Sequence, residues 1–247
     1  MLFLSALCVA QPGGVSVHDP VMARDGDKYY LFCTGMGISV FSSSDMLTWK
    51  AEMPVFREPP EWAVKAVTGY RGHTWAPDIS FHDGVYYLYY SVSAFGKNTS
   101  CIGVATNTTL DPANPAFRWV DHGMVVQSVP GRDMWNAIDP NLAIDDAGTP
   151  WLVFGSFWDG MKLAKLDKSL TKLSDPQEWH TVAARPRDYY TEETSAGEGA
   201  IEAPFIIKRD RYYWLFVSFD FCCRGLESNY RVMVGRSEKI TGPYLDR

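Results

Sequence analysis

The chain has 247 residues and 46% of them are hydrophobic, which is enough for a large core in one all-β domain or for two smaller domains. Its formal net charge is −6 and its Lys and Arg residues are scattered, which argues against a nucleic-acid-binding surface and favours a neutral or weakly charged substrate. Aromatic residues make up 14% of the chain, and this content favours β-strands and a surface that binds ring-shaped ligands.

The first 11 residues form an apolar segment that ends in Cys8-Val9-Ala10-Gln11. They resemble the hydrophobic core and cleavage site of a secretory signal, although the usual positive residues in front are absent. The alternatives are a wrongly assigned start codon and a buried N-terminal strand. We therefore expect residues 1–11 to be a signal-peptide remnant and the protein to be secreted or periplasmic. No other segment approaches about 18 consecutive apolar residues, so no membrane partner is expected.

The five cysteines form neither a regular disulfide framework nor a Cys-x-x-Cys or Cys/His metal-binding pattern. Two of them, Cys222 and Cys223, are adjacent. We interpret this pair as two thiols, one buried and one exposed, because redox-active cysteines are usually separated and lie in an electropositive setting. A redox role is the alternative, and the sequence leaves open whether the two are bonded.

The chain starts with three short predicted strands at 21–23, 28–33 and 38–43, followed by a fourth around Trp49, and an Asp-Gly turn marks the first hairpin. The same order of segments recurs three times. We therefore predict one domain, 12–247, with blades at about 17–58, 74–120, 136–182 and 200–247. Four copies of one four-stranded unit are typical of an all-β fold, the β-propeller. No helix is predicted, except for one turn that residues 175–178 could form.

An acidic residue lies beside a proline, or one residue from it, near the start of each unit. The four acids follow one another at intervals of 59, 61 and 63 residues: Asp19, Asp78, Asp139 and Glu202. Because the first strand of each propeller blade lines the central axis, we expect all four around one mouth of the channel. Grouped carboxylates are costly to bury and raise one another's pKa, so a functional role is favoured over Asx-type capping of strand starts. One protonated and one ionised carboxyl group across a gap are the chemistry of glycoside hydrolysis.

Several segments resemble glycoside hydrolase family 43, and within it they are most similar to the endo-α-1,5-L-arabinanases. The segments are His18-Asp19-Pro20, Thr74 to Asp78, Ser91 to Gly96, Trp135 to Asn141, Gly155 to Trp158 and Ala200 to Phe205. This resemblance implies a five-bladed propeller, an inverting mechanism, and a secreted enzyme that acts on arabinan or arabino-oligosaccharides from pectin. The alternatives are another activity of the family, α-L-arabinofuranosidase or β-xylosidase, and a non-catalytic propeller that binds sugar or protein.

The resemblance also implies site residues. Asp19 would be the general base, Glu202 the general acid, and Asp139 the residue that orients the acid and raises its pKa. Inversion requires a water between base and sugar, so the base and acid carboxyl groups should lie about 6.5 to 9.5 Å apart. Asp78 is expected to order the strand start of the second blade.

Six further residues are candidates for substrate binding: Trp75, Phe95, Asn136, Ser156, Phe157 and Trp158. The aromatic rings would stack on the apolar face of a sugar, and the polar side chains would bond its hydroxyl groups. Core packing and turn capping are the alternative roles. No residue is assigned as a metal ligand, and we expect His18 and His73 to orient neighbours or to pack.

The last residues, 241–247, are typical of the end of a fourth blade, so a fifth blade of about 60 residues has no counterpart in this chain. The resemblance implies that this blade would carry a histidine near a central structural calcium ion (Ca2+), whereas the chemistry itself would need no cofactor. We expect a truncated product. The alternatives are closure by four blades and a blade supplied by another chain, and without such a partner chain we expect a monomer.

Overall fold

A computed structural model describes residues 14–246 of the protein. Its strands form four antiparallel sheets, which are arranged as the blades of a β-propeller. The predicted all-β propeller with four evident blades is therefore confirmed. The predicted signal-peptide remnant, residues 1–11, lies outside the described residues.

The strands are short and follow one another in chain order. Those of the first half are β1 (Val21–Asp25), β2 (Lys28–Cys33), β3 (Gly35–Met36), β4 (Ser39–Ser43), β5 (Lys50–Ala51), β6 (His73–His82), β7 (Val85–Val92), β8 (Ser100–Asn107) and β9 (Val120–Ser128). Those of the second half are β10 (Asn141–Ile144), β11 (Pro150–Phe154), β12 (Met161–Lys165), β13 (Trp179–Ala183), β14 (Ile201–Arg209), β15 (Tyr212–Phe219), β16 (Arg231–Ser237) and β17 (Leu245–Asp246).

Each blade is one sheet of neighbouring antiparallel strands. Blade one contains β1, β2, β4 and β5, blade two contains β6 to β9, blade three β10 to β13 and blade four β14 to β17. The short strand β3 leaves blade one and pairs with β6, which places Gly35 opposite Thr74. Backbone pairing therefore joins the first two blades. The fourth strand of blade two is β9, which pairs with β8.

The hairpin between β6 and β7 has the turn that its sequence predicts. Asp83 and Gly84 both have positive φ, 49° and 82°, and lie between the paired residues His82 and Val85. A two-residue turn with positive φ at both positions matches the right-handed twist of the flanking strands, and Asp-Gly is a preferred sequence for it.

The hydrophobic core lies between neighbouring blades. Side chains that alternate along one strand enter two different clusters: Leu88 and Tyr90 of β7 pack between blades one and two, whereas Tyr89 packs between blades two and three. In β11, Leu152 packs toward blade two and Val153 toward blade four. Because successive side chains of a strand point to opposite faces, a middle strand covered on both sides needs a continuous apolar sequence.

One helix was not predicted. Residues Glu61–Ala66 form α1, which buries Ala63 and places the Trp62 indole against the Tyr90 ring. Six residues are too few to show a helical period, and a helix this short depends on tertiary contacts, here the bond from Trp62 Nε1 to Asp121 Oδ2 at 2.9 Å. The segment 175–178 forms bends, not a helical turn, and the Ser174 hydroxyl donates to Pro176 O within it. Within residues 14–246, no helix is long and apolar enough to cross a membrane.

Candidate active site

The residue before the proline has the same unusual backbone in all four blades. Its φ is 49°, 39°, 57° and 52° at Asp19, Ala76, Asp139 and Ala203. Positive φ at a residue other than glycine costs on the order of 1–3 kcal/mol and is frequent at functional sites. Acids occupy this position only in blades one and three, whereas Glu202 precedes it and Asp78 follows two residues later. All four acids line one cleft, as expected, but they stand at different positions relative to the proline, so what recurs is the conformation before the proline and not the carboxylate.

The nine residues predicted as catalytic or substrate-binding come together. They line one cleft of about 850 Å³ at the mouth of the propeller: Asp19, Trp75, Phe95, Asn136, Asp139, Ser156, Phe157, Trp158 and Glu202. These residues come from several loops and strand ends on all four blades. The cleft is therefore a product of the tertiary fold and not of any one blade.

Hydroxyl groups at the ends of the second strands hold the acidic segments. The Thr34 Oγ1 donates to Asp19 Oδ2 at 2.6 Å and accepts from Ala76 N, so it connects blades one and two. The Ser91 Oγ accepts from Asp139 N at 3.0 Å. Neither role was predicted, although a serine or threonine at the end of each aromatic-rich strand is a sequence signal for it.

The Ser156 hydroxyl holds Glu202. Its Oγ donates to Glu202 Oε2 at 2.8 Å, and the backbones of the two residues also form an isolated β-bridge. The sequence suggests that Ser156 bonds sugar hydroxyls, but in the structure this group is engaged by the carboxylate. Its position matches that of Thr34 and Ser91 in the preceding blades.

The carboxyl groups of Asp139 and Glu202 affect each other. Asp139 Oδ2 accepts a hydrogen bond from Ala203 N at 3.1 Å, so the carboxyl group lies directly against the Glu202 backbone. Burial raises the pKa of Asp139 well above its usual value, and the charges of Glu202 and Asp19 raise it further. Burial also raises the pKa of Glu202, against a lowering contribution from the Ser156 hydrogen bond. Because like charges in a desolvated site cannot both ionise easily, the pair keeps a proton to a higher pH than isolated carboxyl groups do.

Asp19 is the more exposed acid, with 38% of its side chain accessible. Its Oδ1 lies 3.6 Å from His18 Nε2, and the same imidazole nitrogen lies 3.9 Å from Cys223 Sγ. The Cys222–Cys223 pair lines the cleft beside this histidine as a disulfide between adjacent residues. The interpretation of two thiols is therefore wrong. In this loop Cys223 has a positive φ of 65°, and Asn229 Oδ1 accepts from Phe221 N.

The aromatic candidates differ in what they offer a ligand. Phe95 is 84% exposed, on the loop between β7 and β8. The Trp75 indole is oriented by its Nε1, which donates to His73 Nδ1 at 2.8 Å. Trp158 is only 3% exposed and its Nε1 donates to Glu193 O, so most of this ring is part of the core. Phe95 and Trp75 therefore present more ring surface to the cleft than Trp158 does.

Two polar residues complete the cleft wall. Asn136 is buried and its Oδ1 accepts from Ser100 Oγ at 2.6 Å, which fixes the orientation of the amide. Tyr230 was not predicted as a site residue, since it lies just before β16 in a position that the repeat does not mark. Burial raises the pKa of its phenol, and the nearby charge of Glu202 adds to the effect.

Asp78 joins blades. It is buried, and its two oxygens accept hydrogen bonds from Asn141 Nδ2 at 3.3 Å and Leu142 N at 3.1 Å, both in β10. Burial raises the pKa of Asp78 to about 6. Asn141 Oδ1 in turn accepts from Ile206 N in β14 at 2.8 Å. The side chain thus starts a polar connection across three blades, where the sequence suggests only ordering of its own strand.

Replacing Asn141 with alanine is expected to lower the free energy of unfolding by about 1–3 kcal/mol, because it leaves the buried Ile206 N–H without a partner. The loss should be larger at pH 7 than at pH 5. The Asn141 bond stabilises ionised Asp78, so its removal matters more once the pH exceeds the Asp78 pKa of about 6.

Urea unfolding of Asn141→Ala at both pH values tests this expectation, with Asn114→Ala as the control. Asn114 is exposed and bonds only within its own turn, so its loss should change little. An equal loss at the two pH values would contradict the assigned connection to Asp78.

The calcium ion implied by the resemblance is not matched by a cluster of titratable side chains in the described part of the chain. Among residues 14–246, His, Cys, Asp and Glu side chains form no group of three or more that could hold a metal ion. Calcium prefers six to eight oxygen ligands, mostly carboxylates and carbonyls. Backbone carbonyls and water can supply such ligands, so the calcium ion stays a prediction, and no chemical step is assigned to a metal.

Known proteins are similar to this chain in sequence and fold. The family model "Glycosyl hydrolases family 43" matches residues 14–247. The chain is 52% identical over 247 residues to the extracellular exo-α-(1→5)-L-arabinofuranosidase ArbA of Cellvibrio japonicus, covering 99% of this chain and 71% of that protein. It is 43% identical over 235 residues to the extracellular endo-α-(1→5)-L-arabinanase 1 of Bacillus subtilis, covering 94% and 68%.

A solved structure gives the same result. The α-L-arabinanase of Cellvibrio cellulosa complexed with arabinohexaose superposes with a TM-score of 0.92 at 52% identity, covering 94% of this chain and 74% of that one. The predicted family is therefore confirmed: the chain belongs to glycoside hydrolase family 43.

Proposed function

We propose that the protein is an inverting glycoside hydrolase that cleaves α-1,5-linked L-arabinan and its oligosaccharides. The observation that carries the proposal is the grouping of Asp19, Asp139 and Glu202 in one cleft, with the pKa of Glu202 raised and Asp19 the more exposed of the three. One carboxyl group that keeps its proton and one that contacts water are the pair that this chemistry needs. Two relatives are named as an exo-α-(1→5)-L-arabinofuranosidase and an endo-α-(1→5)-L-arabinanase, which supports α-1,5-linked arabinan as the substrate.

Glu202 is the general acid. Its carboxyl group donates its proton to the leaving glycosidic oxygen as the bond from that oxygen to the sugar C1 breaks. The Ser156 hydroxyl holds one of its oxygens, which fixes the rotamer in the cleft. Burial supports the protonated form before the reaction, since the neutral acid is favoured in a site of low polarity.

Asp19 is the general base. It accepts a proton from a water molecule while the water oxygen attacks C1 on the face opposite to the leaving group, so the configuration at C1 inverts. The Thr34 hydroxyl donates to Oδ2 and leaves Oδ1 for the water. The positive φ of Asp19 and the neighbouring proline fix the direction of the side chain.

Asp139 acts on Glu202 and not on the sugar. Its bond from Ala203 N holds the segment that carries the acid. Burial and repulsion from Glu202 raise the pKa of Asp139, so in this proposal the two carboxyl groups share one proton, and Glu202 delivers it. The exposed ring of Phe95 and the half-buried ring of Trp75 are the platforms on which arabinofuranose stacks.

The mode of cleavage has two candidates. The resemblance of the sequence motifs favours cleavage inside the polymer, whereas identity favours release from chain ends, since the exo-acting relative is 52% identical and the endo-acting relative 43%. We propose exo-acting cleavage on this ground. Both relatives are named extracellular, which supports a secreted location for this protein.

Incubation with linear arabinan should release arabinose or short oligosaccharides of one size, with little early loss of viscosity. A ladder of oligosaccharides with a rapid fall in viscosity would show internal cleavage instead. Release of xylose from xylo-oligosaccharides in preference to arabinose would identify a β-xylosidase. Binding of arabinan without any cleavage would overturn the catalytic proposal in favour of a non-catalytic sugar-binding propeller.

A further inference from the structure

A second cavity lies on blade three, outside the catalytic cleft. It has a volume of about 400 Å³, and we call it the blade-three groove; six of its lining residues are Trp135, Asp159, Lys162, Gln177, Trp179 and Thr181. The indoles of Trp135 and Trp179 lie 5.3 Å apart between ring centroids, with their planes at 43°. Both side chains are only half-buried, so aromatic surface remains open to the groove.

The polar groups of the groove suit a neutral ligand with hydroxyl groups. Lys162 Nζ donates to Thr181 Oγ1 at 2.8 Å and to Asp159 O at 3.1 Å, and within residues 14–246 no carboxylate pairs with it. The Gln177 amide accepts from Trp179 Nε1 through its oxygen, which leaves its two N–H groups as donors. Aromatic faces beside a few fixed donors and acceptors are the composition of a carbohydrate site.

The groove and the catalytic cleft share a wall. Trp135 and Asp159 line the groove, whereas their chain neighbours Asn136 and Trp158 line the cleft. The two wall segments are joined by the bond from Asp159 N to Met134 O at 3.0 Å. The groove therefore lies beside the cleft, on the other side of these two segments.

We propose that the blade-three groove is a second, non-catalytic binding site for arabinofuranosyl units of the same polymer that the cleft cleaves. The proposal rests on the proposed function, because the ligand is the substrate of that site. A second contact on one chain raises the effective concentration of the polymer at the cleft, whereas a short oligosaccharide cannot reach both sites.

Kinetics of Trp179→Ala and Lys162→Met on long and short substrates test the proposal. Each variant should raise KM for linear arabinan about 3- to 10-fold, the range expected from the loss of one stacking or hydrogen-bonding contact, and leave kcat and the KM for arabinotriose unchanged. Lys162→Met removes the charge but keeps most of the apolar stem of the side chain. It therefore still tests the groove if Trp179→Ala weakens the fold.

Trp119→Ala is the matched control. Trp119 is half-buried like Trp179 and packs edge-on against a core phenylalanine in the same way, Phe32 at 5.9 Å compared with Phe154 at 5.6 Å. It lines neither cavity, so its loss should not separate the two substrates. An equal change for polymer and trisaccharide in the groove variants, or no change in either, would overturn the proposal.

Affinity electrophoresis distinguishes this proposal from the proposed function. In gels that contain linear arabinan, retardation should be weaker for both groove variants than for the wild-type protein, whether or not the polymer is cleaved. If the wild-type protein cleaves arabinan and the variants are retarded as strongly as the wild type, the binding role of the groove would be refuted, whereas the proposed function would stand. Retardation by polygalacturonate and not by arabinan would refute the assigned ligand.

Discussion

Replacing Glu202 with glutamine is expected to lower kcat on linear arabinan by about 10²- to 10⁴-fold, the usual contribution of a general acid, with little change in KM. The amide keeps the size of the side chain and can still bond Ser156, so the cleft should retain its shape. What it lacks is the proton for the leaving oxygen. The measurement is initial-rate kinetics by reducing-sugar release.

The deficit of Glu202→Gln should disappear when the leaving group needs no proton. An aryl α-1,5-arabinobioside with an acidic phenol should be cleaved at close to the wild-type rate, because the phenolate leaves without protonation. The control is Glu58→Gln, an exposed residue away from the cleft, which should not affect either substrate. If both substrates lost activity equally, Glu202 would not be the acid.

Replacing Asp19 with alanine should lower kcat at least as strongly, because no group then accepts the proton of the attacking water. The lost side chain leaves space beside Thr34, which had bonded its Oδ2. Azide, added as its sodium salt, is an anionic nucleophile that needs no general base to remove a proton. It should therefore enter this space and restore turnover. Azide then bonds to C1, the glycosidic bond breaks, and Glu202 protonates the leaving oxygen.

The product of this rescue carries the stereochemical information. Attack from the face opposite to the leaving group gives a β-L-arabinofuranosyl azide from an α-linked substrate. Asp27→Ala is the control. Asp27 lies in the exposed turn that follows β1, so this variant should behave as wild type with or without azide. Rescue that yields the α-azide would contradict the role of Asp19 as base.

The strands and their arrangement could be predicted from the sequence because a propeller repeats the same local signals. The Asp83-Gly84 turn has the two positive φ angles that its sequence favours. The apolar runs of β7 and β11 are buried on both faces between blades. Helix α1 escaped prediction because six residues carry no period, and its position depends on a contact with Asp121, 59 residues away along the chain.

The site was predicted only in part. Motif resemblance was enough to name residues that the structure brings into one cleft. The sequence also shows that Asp139 and Glu202 stand at different positions relative to the proline, but only the backbone angles reveal that the conformation before the proline is what recurs. The hydroxyl groups of Thr34 and Ser91 recur at the ends of second strands, but their partners across the blade boundaries, Ala76 N and Asp139 N, have no local sequence signal.

The configuration of the first product tests the account most directly. Wild-type protein and α-1,5-linked arabinotriose are followed by proton NMR before mutarotation equilibrates the new reducing end. A base that activates water and a separate acid predict that the β-anomer appears first. First appearance of the α-anomer would require a covalent intermediate on a nucleophilic carboxylate, and it would contradict the roles assigned to Asp19 and Glu202.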